Sequence, residues 1–191
     1  MKMPTVPRGS PLPSLGLTAL LLVGPGTSLQ AATAPAGVRG EVLSLLDRAG
    51  AVPQETEWKP LGPAALSVLE ELAADPQMPP QRRSRAVTFM AAVDHPQATD
   101  RLQAFLQNGD TQPDLRASAA TALGLRVGTG AVPTLLPFLQ DRSDPVREAV
   151  ARALGRLGGA QVQQALEERL PLEEVPGVRE ALQQGLTFTL P

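Results

Sequence analysis

A phrase recurs in the C-terminal half of this chain at a spacing that neither a single helix nor a strand hairpin produces. Asp114-Leu115-Arg116 runs on to Ala122-Leu123-Gly124, and Pro145-Val146-Arg147 runs on to Ala153-Leu154-Gly155. A third copy opens at Val178-Arg179, so that Arg116, Arg147 and Arg179 stand at nearly equal intervals. Self-similarity at such a period, with no strand-like alternation inside it, marks stacked helical hairpins.

Each period holds two apolar stripes. Leu115, Ala119, Ala122 and Leu123 form the first, and Val132, Leu135, Leu136 and Leu139 the second; both follow the helical i, i+3, i+4, i+7 rule. One hairpin cannot bury both stripes, so neighbouring repeats must stack to cover them. Gly128-Thr129-Gly130 and Gly158-Gly159 divide the two helices of their repeats. The glycines are expected to end the preceding helix through a left-handed cap. A phosphate-loop reading of the lone G-x-G is weak, because the required strand before it is missing. Asp144-Pro145 supplies an N-cap followed by proline at the first helical position, and Gln112-Pro113 opens the previous repeat similarly.

Upstream the register persists while the spelling drifts. Arg83, Met90, Ala91, Leu102, Phe105 and Leu106 lie one period before Arg116, Leu123, Gly124, Leu135, Phe138 and Leu139, all at the same offset. An earlier copy pairs Val38-Arg39 through Leu46 with a second helix from Leu61 to Ala74, across a long connection from Pro53 to Pro60 that carries Trp58. The expectation is an all-α fold: an α-solenoid of stacked antiparallel helical hairpins, four pairs plus a half-repeat, or about nine helices.

These residues resemble the short HEAT-like repeats of phycobilisome-lyase-type HEAT proteins, within the wider HEAT/armadillo-like class. The resemblance is best over Asp110 to Leu170, good over Pro80 to Leu106 and suggestive before that. It implies an acid six residues before an arginine, forming a ladder between repeats; Asp110/Arg116, Asp141/Arg147 and Glu173/Arg179 stand at that spacing. Gln77 before Arg83 departs from it. It also implies that the second helices line a concave binding face. Such repeats serve many unrelated tasks, so the likeness speaks for fold more than for function.

The N-terminus reads as a secretory leader. Lys2 and Arg8 carry the only charges before Arg39, Leu15 to Val23 is an apolar run, and small residues from Ala31 to Ala36 follow. The run is too short to span a bilayer, which takes roughly 20 apolar residues. Residues 1–36 are therefore expected to be a signal peptide, cut after Ala36 or at Ala32 or Ala34, and residues 37–191 the repeat domain. The alternative is an uncleaved disordered tail, favoured by the prolines at 4, 7, 11 and 13. Export implies a periplasmic or secreted protein, with no stable membrane insertion once the leader is gone.

The inventory for chemistry is thin. There is no cysteine, so neither a disulfide framework nor a thiolate is available. His95 is the sole histidine and sits in Asp94-His95-Pro96 between helices, where a solvated loop role is expected. No G-x-S-x-G turn and no His-Glu dipeptide occur, and carboxylates alone suit only hard cations. No catalytic residue, metal or cofactor is expected. The formal net charge of −2 argues against sequence-independent nucleic-acid binding, which needs clustered positive charge. Arg82-Arg83-Ser84-Arg85 is the densest basic patch; Arg83 falls on the ladder, and Arg82 and Arg85 are expected in water.

The expected function is a non-catalytic protein-binding or scaffolding module working through its second-helix surface, with another protein as partner. Candidate contacts are Arg101, Phe105, Phe138 and Arg169 at repeat-equivalent or outward positions, and Trp58 in the long connection. The phenylalanines have an alternative role in packing between repeats, and Trp58 in covering the end of the stack. The alternative function is a lyase-like or chaperone-type domain that holds a substrate or cofactor for an enzyme. A pocket with convergent polar groups would favour that alternative, and a smooth groove the binding module.

Overall fold

The computed structural model describes residues 36–48 and 53–189, and among them all regular structure is helical. The expected leader lies outside these residues, apart from Ala36. The first repeat comprises α1 (Ala36–Asp47), the one-turn α2 (Glu55–Trp58) and α3 (Ala64–Ala74). Next come α4 (Pro80–Phe89) with α5 (Ala98–Gln107), then α6 (Pro113–Val127) with α7 (Val132–Leu135). Finally α8 (Asp144–Leu157) pairs with α9 (Ala160–Arg169), and α10 (Pro176–Thr189) forms a half-repeat. This is the expected all-α solenoid of stacked hairpins, with α2 an extra turn inside the long connection. The first helices α4, α6, α8 and α10 each pack on the next.

The apolar stripes fall where periodicity puts them. Leu115, Ala119, Ala122, Leu123, Val132, Leu135 and Leu139 are buried, and Leu136 is half-buried against them. The second helix of that repeat is tighter than its stripe suggests. After Leu135 it winds into a 3-10 segment, Leu136–Gln140. Pro137 lacks the N–H that a further α-helical turn needs, and a 3-10 turn accommodates the loss.

Gly128 ends α6 with φ of 61° and donates its N–H to Gly124 O, so the Gly-Thr-Gly stretch is a helix stop and then a 3-10 turn. At the start of α8 the N-cap residue is Ser143 and not Asp144, which lies inside the helix and bonds Arg147 at 2.9 Å. The stretch Pro113–Gln140 is long and apolar enough by composition to cross a membrane. It forms two helices folded back at Gly128 and carries Arg116 in a buried ion pair, so it is a packed hairpin.

The glycines of the recurring Ala-Leu-Gly phrase mark close approach between first helices. A Cβ added to Gly155 would lie 2.3 Å from Gly185 Cα, and one added to Gly185 would meet Leu166 Cδ1 at 2.9 Å. Gly124 is looser, its added Cβ reaching Ala153 Cβ at 3.4 Å. The α8–α10 contact is therefore the tightest joint of this kind.

The arginine ladder exists with a different pairing from the expected one. Arg116 makes two bonds to Asp141, in the following repeat, and Arg147 makes two to Glu173 at 2.8 and 2.9 Å. To Asp141, six residues before it, Arg147 donates only to the backbone carbonyl, at 2.8 Å. Arg116 and Arg147 thus reach forward by a repeat, whereas Arg179 donates back to the Glu173 carbonyl, six residues before it; the Arg147–Glu173 pair is buried, Arg147 at 8% and Glu173 at 2% exposure. Asp141 and Glu173 also take the N–H two residues on, at 2.9 and 3.1 Å; Asp75 and Asn108 make the same local bond at 2.8 and 3.0 Å but hold no ladder arginine. Asp110, the acid expected for Arg116, takes no bond from it, and Arg83 bonds Gln112 instead of an acid.

Burial would raise the Asp141 pKa, but the Arg116 hydrogen bonds and the Ser143 N–H outweigh it and hold it below the usual value. In Glu173 the Arg147 hydrogen bonds dominate over burial, and with the Val175 N–H they lower the pKa from 4.5 to about 2. Both anions are locked on.

Candidate functional site

The second helices carry the expected surface, and the structure separates its members. Arg101 is exposed and pairs with Glu70 at 3.2 Å, with both side chains well hydrated. Phe105 and Phe138 are half-buried and packed against the core. The Arg116 guanidinium lies 6.0 Å from the Phe138 ring centre, so this phenylalanine covers a ladder cation. Phe138 thus packs within its own hairpin.

Arg169 is not a free surface arginine. It donates to Glu173 at 2.7 Å, four residues on, so that Glu173 is held between Arg147 and Arg169. Arg169 Nε is buried and without a hydrogen-bond partner. Trp58 is corrected more sharply. At 2% exposure it offers nothing to a partner; it meets the Phe89 ring at 5.9 Å and 71°, an edge-to-face contact. The α2 turn folds it inward.

The basic run is not free in water either. Arg82 pairs with Asp47 at 2.8 Å, and Arg85 bonds Arg48 O and lies over Phe89 at 5.1 Å. They tie α4 back to the first repeat. His95 Nδ1 accepts the Gln97 N–H at 3.1 Å, and the His95 carbonyl accepts from Arg126 at 2.9 Å. Arg126 also bonds the Ala91 and Val93 carbonyls, so this loop is fastened by a single guanidinium. Among the described residues no three His, Cys, Asp or Glu side chains cluster as a metal site.

One cleft joins successive second helices. About 450 Å³ in volume, it lies between the Leu136–Gln140 segment and α9. Leu136 and Leu139 contribute apolar wall, Gln161, Gln164 and Glu168 the polar side, and Leu172 and Arg169 also line it. Leu172 is 68% exposed, an unusual position for a large apolar side chain, in the 3-10 turn after α9. Of the sequence candidates only Arg169 belongs to this cleft; Arg101, Phe105 and Phe138 lie outside it. The cleft residues had a faint signal: Leu172 sits off the apolar stripe, beyond Pro171, where the helical period no longer applies.

One pair of the cleft's polar groups is satisfied along its own helix. Gln164 donates to Glu168 at 2.8 Å, and beside the cleft Gln163 donates to Glu167 at 2.9 Å. Such i, i+4 pairs stiffen the surface without aiming at a common centre. The arrangement suits contact with an extended surface better than chemistry on a small molecule.

No curated protein matches this chain. Residues 106–187 match the family model described as HEAT repeats, whose members generally mediate protein interaction or scaffolding. Residues 106–187 are thus similar to HEAT repeats, and the all-α stack of hairpins continues upstream of the matched stretch.

Proposed function

We propose that this chain is an exported protein-binding or scaffolding module with no chemistry of its own. It takes a protein partner on its second-helix surface, centred on the cleft between the Leu136–Gln140 segment and α9. The observation that carries this reading is Leu172, a large apolar side chain 68% exposed beside a cleft of about 450 Å³. Exposed apolar groups rimmed by polar ones are the usual anchor of an interface. The mildly acidic charge supports a protein partner over a nucleic acid. Export to the periplasm or beyond rests on the order of charge, apolar run and small residues over positions 1–36.

The narrower likeness, to phycobilisome-lyase-type HEAT proteins, supports the alternative of a lyase-like or chaperone-type holder of a substrate or cofactor. The bond from Gln164 to Glu168 along its own helix, instead of toward the cleft centre, favours the first reading. Replacing Leu172 with Ser and Gln164 with Ala tests it, since neither residue is buried. Calorimetric titration of the isolated partner should show weaker binding at an unchanged melting temperature. Full affinity in this double variant would remove the cleft from the interface.

A further inference from the structure

The opposite side of the last repeats, on the first helices, carries a cation that the fold does not use. Most arginines near it are tied down. Arg116 and Arg147 hold ladder acids, Arg126 fastens a loop, and Arg179 donates to Leu170 O and Glu173 O. Arg152 is fixed by Glu148 at 2.9 Å and by Gln184 at 3.0 Å. Arg156, one turn along α8, is exposed and makes no hydrogen bond or ion pair among the described residues. It lines two adjoining clefts at once, of about 290 and 200 Å³, which share Arg152 and Arg156. Pro145 and Ala149 wall the first; Ala181 and Phe188 wall the second. Phe188 is 69% exposed.

We propose that this α8–α10 face is a second binding site, which takes an acidic peptide segment of a partner protein. A side-chain carboxylate rests on the Arg156 guanidinium, and its apolar neighbours enter the two flanking clefts. Guanidinium and carboxylate match in planar, two-bonded geometry, and arginine beside an exposed aromatic ring is the composition of an interface anchor. Shielding from water by its neighbours first, and the nearby Arg152 charge second, lower the Arg156 pKa from its usual value; an arriving carboxylate offsets the Arg152 repulsion. Glu148 shares the first cleft, which disfavours a doubly charged phosphate relative to a singly charged carboxylate. The apolar walls also need side chains to cover them, which a bare anion lacks. This site does not depend on the second-helix cleft, and either can fail alone.

The test begins with selection of a random displayed-peptide library on the full chain, counter-selected on Arg156→Gln. Enriched peptides should share an acidic residue with apolar neighbours. In fluorescence anisotropy, the leading peptide should bind about tenfold more weakly to Arg156→Gln and should weaken with Phe188→Ser, a second variant at an exposed position. Replacing its acid by the amide should cause a similar loss, while Leu172→Ser on the other face should leave affinity unchanged. Melting curves confirm that the variants are folded. No enrichment, enriched peptides without acids, or equal affinity for Arg156→Gln would overturn the proposal. So would tighter binding of a phosphoserine version, which would make the ligand a phosphate.

Discussion

Removing one partner of the Arg147–Glu173 rung should cost far more than a surface ion pair does. Arg147→Ala leaves Glu173, 2% exposed, with only Arg169 at 2.7 Å and the Val175 N–H at 3.1 Å. Breaking a buried pair costs roughly 3–5 kcal/mol, and the remaining partners place this case near the low end, about 3. The displacement of the Glu173 pKa from 4.5 to about 2 gives a comparable figure, about 3 kcal/mol at neutral pH. The folded carboxyl keeps its charge down to about pH 2, while the unfolded chain's protonates near 4.5. The contribution is therefore intact above about pH 4.5 and fades as the pH falls toward 2. Urea unfolding of wild type, Arg147→Ala, Glu173→Gln and an Arg147→Met/Glu173→Leu pair measures this. Each single variant should lose stability, and the apolar pair should recover to within about 1 kcal/mol of wild type or better. Glu173→Gln should also flatten the acid limb. A loss below about 1 kcal/mol in Arg147→Ala would mean the rung is hydrated and the buried geometry wrong.

The glycine joint yields a contrast. Gly155→Ala, with its Cβ 2.3 Å from Gly185 Cα, should lose about 1–3 kcal/mol in thermal melts, whereas Gly124→Ala should be neutral or gain up to about 1 from helix propensity. Leu135→Ala, at 0% exposure, should lose roughly 2–5 kcal/mol in urea, and the neighbouring half-exposed Thr134→Ala within about 0.5. Trp58, the sole tryptophan, should emit at short wavelength and resist quenching by iodide until the chain unfolds.

The period, the stripes and the hairpin count were legible because a stacked repeat writes the same burial demand again and again. Ladder pairing was not. Two acids compete for Arg116 and for Arg147, one six residues before and one in the following repeat, and sequence spacing cannot say which carboxylate points at the arginine. Asp110 kept the expected interval to its arginine, yet Arg116 turns forward to Asp141 as Arg147 does to Glu173. The role of Gly155 in Ala-Leu-Gly was hidden for a related reason, since its partner Gly185 lies outside the recurring phrase. Trp58 misled because the length of its connection concealed the turn of helix that folds it inward. The cleft was the least visible feature. It depends on how two second helices face each other, and its exposed Leu172 follows a proline where helical periodicity ends.

The central claim, that partners meet this chain on the second-helix surface, can be tested without knowing the partner. A photo-crosslinking amino acid placed at Gln164 in the cleft is compared in the native host with one at Leu125, which is 54% exposed on α6. Gln164 should yield a discrete adduct that Leu172→Ser abolishes, and Leu125 should yield none. Adducts from Leu125 alone, or none from Gln164, would contradict the account.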